Sequence, residues 1–260
     1  MPFNCNFYYH VFDFKMKINW HSVYSQILQT LLLPVLLFQG WKLRKNTIEL
    51  PEATGDRRGT IGNGNTIRLI FLGDSSACGV GVSHLDQALS GKLLNILSQK
   101  YSCVWEVFGR SKLMTSELTK LISKEEKRKF DIAIVCIGMN DITDGKSVET
   151  WMRDILKLRA VIKNKYDISE IIFSGIPPVR KLTQVPHPLL HILSLKAYIF
   201  GKALREFCRN NEECCFIDID LPVSSQTMAI DGFHPNEVFY SAWAKRISKS
   251  ILNKLKHCAD

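Results

Sequence analysis

The stretch "IRLIFLGDSSACGVGV", residues 67–82, decides the fold. Its apolar run ends abruptly at Gly73-Asp74-Ser75, and small residues and glycines follow. A continuous apolar run of this length is typical of a strand buried on both faces. Open α/β sheets place their ligands at the carboxyl ends of such strands. The serine therefore belongs to an ordinary turn, to a phosphate-binding loop, or to a site with a nucleophile at the sheet edge.

Beyond this stretch, apolar runs alternate with helical patterns. Four further strands are predicted, at residues 104–108, 132–137, 171–174 and 215–219. Helical spacing is clearest in residues 148–162 and 239–255, where apolar side chains recur every three or four positions. Continuous apolar strands separated by helices predict a parallel sheet that is covered by helices on both faces.

Length and composition predict one α/β domain with an additional amino-terminal segment. The chain has 260 residues, of which 46% are hydrophobic and 23% charged, enough for a substantial core. We divide it into an apolar segment at residues 1–45, a linker at 46–66 rich in glycine, asparagine and charge, and the domain at 67–260.

The charge pattern argues against a nucleic-acid partner. The formal net charge is +9, but the basic residues are dispersed, and the run "KEEKRK" at 124–129 mixes both signs. No basic stripe interleaved with aromatic residues is present. We therefore predict no nucleic-acid binding and a cationic surface that favours, at most, an anionic membrane.

The eight cysteines predict neither a disulfide framework nor a metal site. Cys78, Cys103, Cys136 and Cys215 lie in or beside apolar runs, and no CxxC pair occurs. The adjacent Cys214 and Cys215 do not offer the spacing of a ligand pair. We predict buried free thiols in a reducing, cytoplasmic compartment, with no metal and no cofactor.

The amino-terminal segment is the most apolar part of the chain. From Ile18 to Trp41 there is no Asp, Glu, Lys or Arg. A signal peptide requires a small-residue cleavage site, and none follows this segment. Gln, Thr and Pro residues lower its hydrophobicity below that typical of a membrane-spanning helix. Trp20 and Trp41 bracket it about one bilayer thickness apart. Two interpretations stay open, a helix packed on the domain and a membrane contact. If the segment spans the bilayer, the basic residues at 42–45 outnumber those before it and keep the domain at the inner, cytoplasmic face.

Familiar glycine motifs do not explain the opening stretch. A P-loop needs a lysine that is missing after Gly79 and Gly81, and the dinucleotide motif lacks its third glycine. The nucleophile elbow of α/β-hydrolases, Gly-x-Ser-x-Gly, is also absent, because Ala77 stands where its second glycine belongs.

Two further polar blocks complete a candidate site. "CIGMNDIT" at 136–143 places Asn140 after the third strand, and "DGFHPNEVFY" at 231–240 carries Asp231 and His234 before the last helix. Each block alone is compatible with turn or capping chemistry. Together they supply what a serine nucleophile needs. His234 is the base, Asp231 fixes the imidazole tautomer, and Asn140 is an N–H donor for the developing oxyanion.

The blocks resemble those of the SGNH (GDSL-type) hydrolases, and the flanking residues are similar to a bacterial esterase-like subgroup. The matching stretches are Gly73-Asp74-Ser75, Gly138-Met139-Asn140-Asp141 and Asp231-Gly232-Phe233-His234. The resemblance implies a flavodoxin-like, three-layer α/β/α sandwich with a five-stranded parallel sheet in the order 2-1-3-4-5. It also implies a serine esterase that acts on a small-molecule ester without a metal or cofactor. An acyltransferase of the same fold and a non-catalytic, membrane-associated relative remain as alternatives.

The second block of this resemblance is incomplete. The family places a glycine after strand 2, and the backbone N–H of that glycine joins the oxyanion hole. We assign this role to Gly109, with Asn140 and the Ser75 N–H as the other donors. Members with a Ser-Gly-x-Thr stretch instead align their glycine with Lys112. We also expect the loop at 175–190 either to shape the acyl pocket or to be a plain connection, with His187 and His191 at the surface.

Overall fold

The computed structural model describes residues 20–182 and 184–257. The helices are α1 (Trp20–Asn46), α2 (Leu89–Leu97), α3 (Thr115–Ser123), α4 (Met139–Thr143), α5 (Val148–Tyr166), α6 (Leu189–Arg209) and α7 (Glu237–His257). The strands are β1 (Arg58–Ile61), β2 (Asn65–Gly73), β3 (Tyr101–Gly109), β4 (Ile132–Cys136), β5 (Glu170–Ser174) and β6 (Cys214–Ile217).

The six strands form one sheet in the order β1-β3-β2-β4-β5-β6. The five strands from β2 to β6 are parallel and follow the predicted order, with β2 between β3 and β4. Every residue of β4 and β5 is buried, because helices cover both faces. This part of the prediction is confirmed.

The helices form two layers around the sheet. α2 packs on α7, while α3 packs on α5 and α5 on α6. Right-handed crossovers explain this division, since the chain leaves β2 toward β3 and then returns past β2 to β4. The reversal makes the carboxyl ends of β2 and β4 a topological switch point, where open sheets bind ligands.

The predicted linker at 46–66 needs a correction. Residues 58–61 form β1, which pairs antiparallel with β3 at the sheet edge. All four residues of β1 are exposed, so the strand lacks the apolar pattern by which the other strands were predicted. The preceding residues are also part of the domain, because the Ala53 amide donates to the Cys78 carbonyl over 3.1 Å.

The predicted free thiols are confirmed for the described cysteines. Five of them are buried and Cys215 is half-buried, with no disulfide among them; Cys5 and Cys258 lie outside the described residues. Burial raises the pKa of the Cys78 thiol to about 12. Over the described residues, no helix has the length and apolar character needed to cross a membrane.

Candidate active site

Ser75 follows β2 in a tight turn whose entrance requires a glycine. Gly73 pairs with both neighbouring strands, and a Cβ atom there would lie 2.0 Å from the Cys136 carbonyl oxygen. The turn is closed by two backbone hydrogen bonds, from Cys78 N to Asp74 O at 3.1 Å and from Val80 N to Ser75 O at 3.0 Å. Ser75 is thereby presented at the carboxyl edge of the sheet.

The same turn packs against the last polar block. Gly81 has a φ of +103°, and a Cβ there would lie 2.1 Å from the Pro235 carbonyl oxygen. The buried Tyr240 hydroxyl of α7 donates to the Val80 carbonyl over 2.8 Å. These contacts hold the turn after β2 against the residues that precede α7.

His234 connects Ser75 with Asp231. Its Nε2 atom lies 3.0 Å from Ser75 Oγ, and its Nδ1 atom lies 2.5 Å from Asp231 Oδ2. The other carboxylate oxygen, Oδ1, accepts from the amides of Phe233 and His234 at 2.9 and 3.0 Å. We refer to this chain of contacts as the Asp231–His234–Ser75 relay.

The environment of Asp231 favours its charged form. Burial by itself would raise the pKa of this carboxyl, but the hydrogen bonds from the His234 ring and from two backbone amides outweigh it, so the pKa is lowered. The charged carboxylate can therefore accept a hydrogen bond from a protonated Nδ1. In that tautomer Nε2 carries no hydrogen and can accept the Ser75 proton.

Asp231 and His234 are not the cap of the last helix. That function belongs to Asn236, whose side-chain oxygen accepts from the Val238 amide over 2.9 Å. Because Asn236 caps the helix, the side chains of Asp231 and His234 are available for the relay.

Asn140 is the second residue of α4, and its side chain contacts Asp74 in the Ser75 turn. Its Nδ2 atom donates to the Leu113 carbonyl over 3.0 Å and to Asp74 Oδ2 over 3.2 Å. Asp74 is buried, and its other carboxylate oxygen accepts from the Ser76 amide over 3.1 Å. Burial raises the pKa of Asp74 to about 7 despite that hydrogen bond. A fraction of Asp74 is therefore neutral near pH 7.

Gly109 and Lys112 differ sharply in backbone geometry. Gly109 faces Gly73 across the β2–β3 pair, and a Cβ there would lie 2.1 Å from the Gly73 carbonyl oxygen. Strand packing alone thus requires this glycine. Lys112 has a φ of +67°, in the left-handed region that favours glycine. Its Nζ atom forms an ion pair with Glu49.

A buried polar cluster around Asp141 was not recognised in the sequence. Asp141 accepts from the Thr115 amide at 3.0 Å and hydroxyl at 2.7 Å, and also from Lys146 Nζ. The Trp151 indole donates to the same hydroxyl over 3.0 Å. The cluster ties the start of α3 to α4 and so fixes Leu113 beside Asn140. Asp141, next to Asn140, was the only indication of this cluster in the sequence, but its partner Thr115 is 26 residues away.

The remaining candidates lie at the periphery. His187 and His191 are exposed, as predicted. The loop at 175–190 reaches the site, because a Cβ on Gly232 would lie 2.6 Å from the Gln184 side chain. Over the described residues, no group of His, Cys, Asp and Glu side chains is suited to hold a metal ion.

The family profile described as the GDSL-like lipase/acylhydrolase family matches residues 71–242. The chain belongs to this family. It is accordingly an ester-hydrolysing enzyme, and the resemblance inferred from the three blocks is confirmed. The matched region of the GDSL-like chain contains the three matching blocks, and also Gly109 and Lys112, the two alternatives for the incomplete second block.

Solved structures share the fold of this GDSL-like enzyme. A lipolytic G-D-S-L protein from Veillonella parvula has a TM-score of 0.55 at 14% identity, covering 69% of this chain and 95% of its own. A carbohydrate esterase family 2 enzyme from Corynascus thermopiles has a TM-score of 0.59 at 15% identity, covering 75% and 68%. A psychrotrophic esterase from Pseudoalteromonas sp. has a TM-score of 0.53 at 16% identity, covering 73% and 98%. The comparison with curated proteins finds no match.

Proposed function

We propose that this enzyme hydrolyses small carboxylic esters with Ser75 as the nucleophile, His234 as general base and then acid, and Asp231 as the residue that orients the imidazole. The observation that carries the proposal is the Asp231–His234–Ser75 relay, in which each side chain lies within hydrogen-bond distance of the next. A serine hydroxyl becomes nucleophilic only when a base can take its proton in this way.

The reaction proceeds in two halves. Ser75 Oγ attacks the ester carbonyl while its proton passes to His234 Nε2, and the imidazolium then protonates the departing alcohol. In the second half, His234 takes a proton from water, the resulting hydroxide attacks the acyl-serine carbonyl, and the proton returns to Ser75 Oγ. The free acid leaves, and the resting enzyme is restored.

The oxyanion is stabilised by N–H groups. We assign two of them to the Asn140 side chain and the Ser75 amide, and we now assign the third to the amide of Lys112 in place of Gly109. The left-handed backbone of Lys112 supports this choice, since it is the conformation that a glycine at this position would supply. Gly109 has a sufficient explanation in its contact with Gly73.

Asn140 must release one existing contact to serve the oxyanion. Both hydrogens of its amide are engaged, one by Leu113 and one by Asp74. A protonated carboxyl is a weaker acceptor than a carboxylate, and the raised pKa of Asp74 favours the protonated form. The contact with Asp74 is therefore the one that yields as negative charge develops on the substrate.

Loss of the Asn140 amide should slow the chemical step without weakening substrate binding. We expect Asn140→Ala to lower kcat by about 10²–10³-fold and to leave KM nearly unchanged, because the oxyanion carries its charge only in the transition state. Steady-state kinetics on nitrophenyl acetate measure both constants. A raised KM with unchanged kcat would contradict this role. The control is Asn253→Ala, which removes the amide of an exposed asparagine and should leave both constants unchanged.

Substitution at Lys112 tests whether this position of the second block has a backbone conformation that favours glycine. We expect Lys112→Gly to raise the free energy of unfolding by about 1 kcal/mol, because it relieves left-handed strain, and to preserve kcat, since the N–H remains. Glu49→Gln removes the same exposed ion pair and controls for it. Gly109→Ala should instead destabilise the fold, because its Cβ has no space beside Gly73. Destabilisation by Lys112→Gly in chemical denaturation would contradict the assignment.

A fluorophosphonate probe tests the proposed nucleophile directly. Such probes phosphonylate an activated serine, and peptide mass spectrometry identifies the modified residue. We expect modification at Ser75, and hydrolysis of a series of nitrophenyl esters will give the preferred acyl length. Labelling elsewhere, with Ser75 unmodified in an active sample, would overturn the assignment. Addition of alcohol or sugar acceptors reveals acyl transfer as a second product.

A further inference from the structure

Within the part of the chain that the structure describes, nothing covers one apolar side of α1. Ile27, Leu31, Val35, Phe38 and Trp41 follow one another at helical spacing, and all are exposed, Leu31 by 72%, Phe38 by 60% and Trp41 by 58%. We refer to these five residues as the apolar helix face. Soluble domains seldom expose a contiguous apolar patch of this kind unless it meets a partner or a membrane.

The opposite side of α1 is fixed to the domain. Leu36 is buried and Leu43 packs against the core. The Gln39 amide donates to the His187 carbonyl over 2.7 Å and accepts from the Leu189 amide over 3.1 Å. The helix therefore has a definite orientation, and the apolar helix face points away from the domain.

α1 is anchored at the rim of the candidate active site on two sides. Gln39 holds the end of the loop at 175–190, in which Gln184 lies over Gly232. On the other side, the residues after α1 hold the second block, through the Glu49–Lys112 ion pair and through Glu52, which accepts from the Ser111 amide over 2.6 Å. A surface that received the apolar helix face would thus lie next to the site.

The charged residues of α1 have one sign. From Trp20 to Asn46 α1 contains no acidic residue, and it ends in the basic residues Lys42, Arg44 and Lys45. Lys45 Nζ lies 5.2 Å from the centre of the Trp41 ring. A helix with exposed Leu, Phe and Trp side chains and basic residues at its end fits the interface of an anionic bilayer, where apolar groups enter the acyl region and cations meet lipid phosphates.

We propose that the apolar helix face seats this enzyme on an anionic phospholipid bilayer, and that acyl esters held in that surface are its substrates. The second statement rests on the proposed function, and the first does not. Ile230, which is 80% exposed beside Asp231, adds an apolar side chain on the same rim. An ester bond at the interface would then reach Ser75 while its acyl chain stays in the lipid.

Flotation of the full chain with vesicles tests the docking. We expect binding to phosphatidylglycerol–phosphatidylcholine vesicles and much weaker binding to phosphatidylcholine alone. Leu31→Gln with Phe38→Gln should weaken binding at least about tenfold. Lys42→Gln, Arg44→Gln and Lys45→Gln together should weaken it by up to about 100-fold at low salt. Ile61→Gln, on the exposed edge strand β1, is the matched control and should bind like the wild type.

Three results would overturn the docking: no flotation of the wild type, equal binding to both vesicle types, or unchanged binding of the Leu31→Gln, Phe38→Gln variant. Sedimentation tests the competing occupant, a second copy of the chain. The wild type could be a dimer that does not bind vesicles and that the Leu31→Gln, Phe38→Gln substitutions dissociate. In that case the apolar helix face binds a second copy of the chain instead of lipid.

The substrate statement is tested on two esters. The Leu31→Gln, Phe38→Gln variant should keep wild-type kcat on soluble nitrophenyl acetate and lose about tenfold in rate on a long-chain ester carried in anionic vesicles. An equal rate on the vesicle ester would overturn the substrate class. Undiminished activity of Ser75→Ala on the soluble ester would instead refute the proposed function, and vesicle flotation would be unaffected by that result.

Discussion

Replacing Ser75 by alanine is expected to lower kcat for ester hydrolysis by at least about 10⁴-fold, because the other groups of the relay cannot form an acyl-enzyme without the nucleophile. The fold should persist, since Ser75 lies in a turn and only its hydroxyl is removed. The measurement is the rate on nitrophenyl acetate, with circular dichroism to verify folding.

Ser76 provides the matched control for Ser75. It is the next residue of the same turn, and its backbone amide, not its side chain, contacts Asp74. We expect Ser76→Ala to keep most of the activity and Ser75→Ala to lose fluorophosphonate labelling. Wild-type turnover in purified Ser75→Ala would exclude this residue as the nucleophile.

Loss of His234 should have an effect of similar size and should also change the pH dependence. We expect His234→Ala to reduce kcat by about 10⁴-fold or more, and the residual rate should no longer follow the titration of an imidazole. Asp231→Asn should fall between wild type and His234→Ala, because the imidazole stays but can settle in the wrong tautomer. The measurement is kcat on one activated ester across pH.

His191 is the control for a general effect of losing a histidine. It is exposed on α6 and takes no part in the hydrogen bonds of the relay, so His191→Ala should behave like the wild type. Retention of the wild-type pH profile by His234→Ala would refute its role as the base, whatever the size of the rate loss.

The parallel sheet was predictable because burial on both faces leaves a pattern in the sequence. β4 and β5 are buried along their whole length and are therefore continuous apolar runs. β1 is held by backbone hydrogen bonds at an exposed edge, and its four exposed residues carry no such pattern. Backbone pairing at an edge imposes little on side chains, so this strand was mistaken for a linker.

The candidate site also has a part that was predictable from the sequence and a part that was not. Ser75, Asn140, Asp231 and His234 were candidates from residue type and position, since each follows a strand or precedes a helix. The contact between Ser75 and His234 depends on the packing of α7 against the turn after β2. The choice between Gly109 and Lys112 depends on a backbone dihedral angle, which residue identity does not encode when a lysine occupies the left-handed region.

The sequence alone determined that residues 18–41 are apolar and that basic residues follow them. It could not determine which side of this helix meets the domain, because apolar residues occupy nearly the whole circumference. Only the tertiary structure decided this, by fitting Leu36 and Gln39 against α6 and the preceding loop. The physical reason is that hydrophobicity is not directional, whereas close packing and hydrogen bonds depend on the position of each partner.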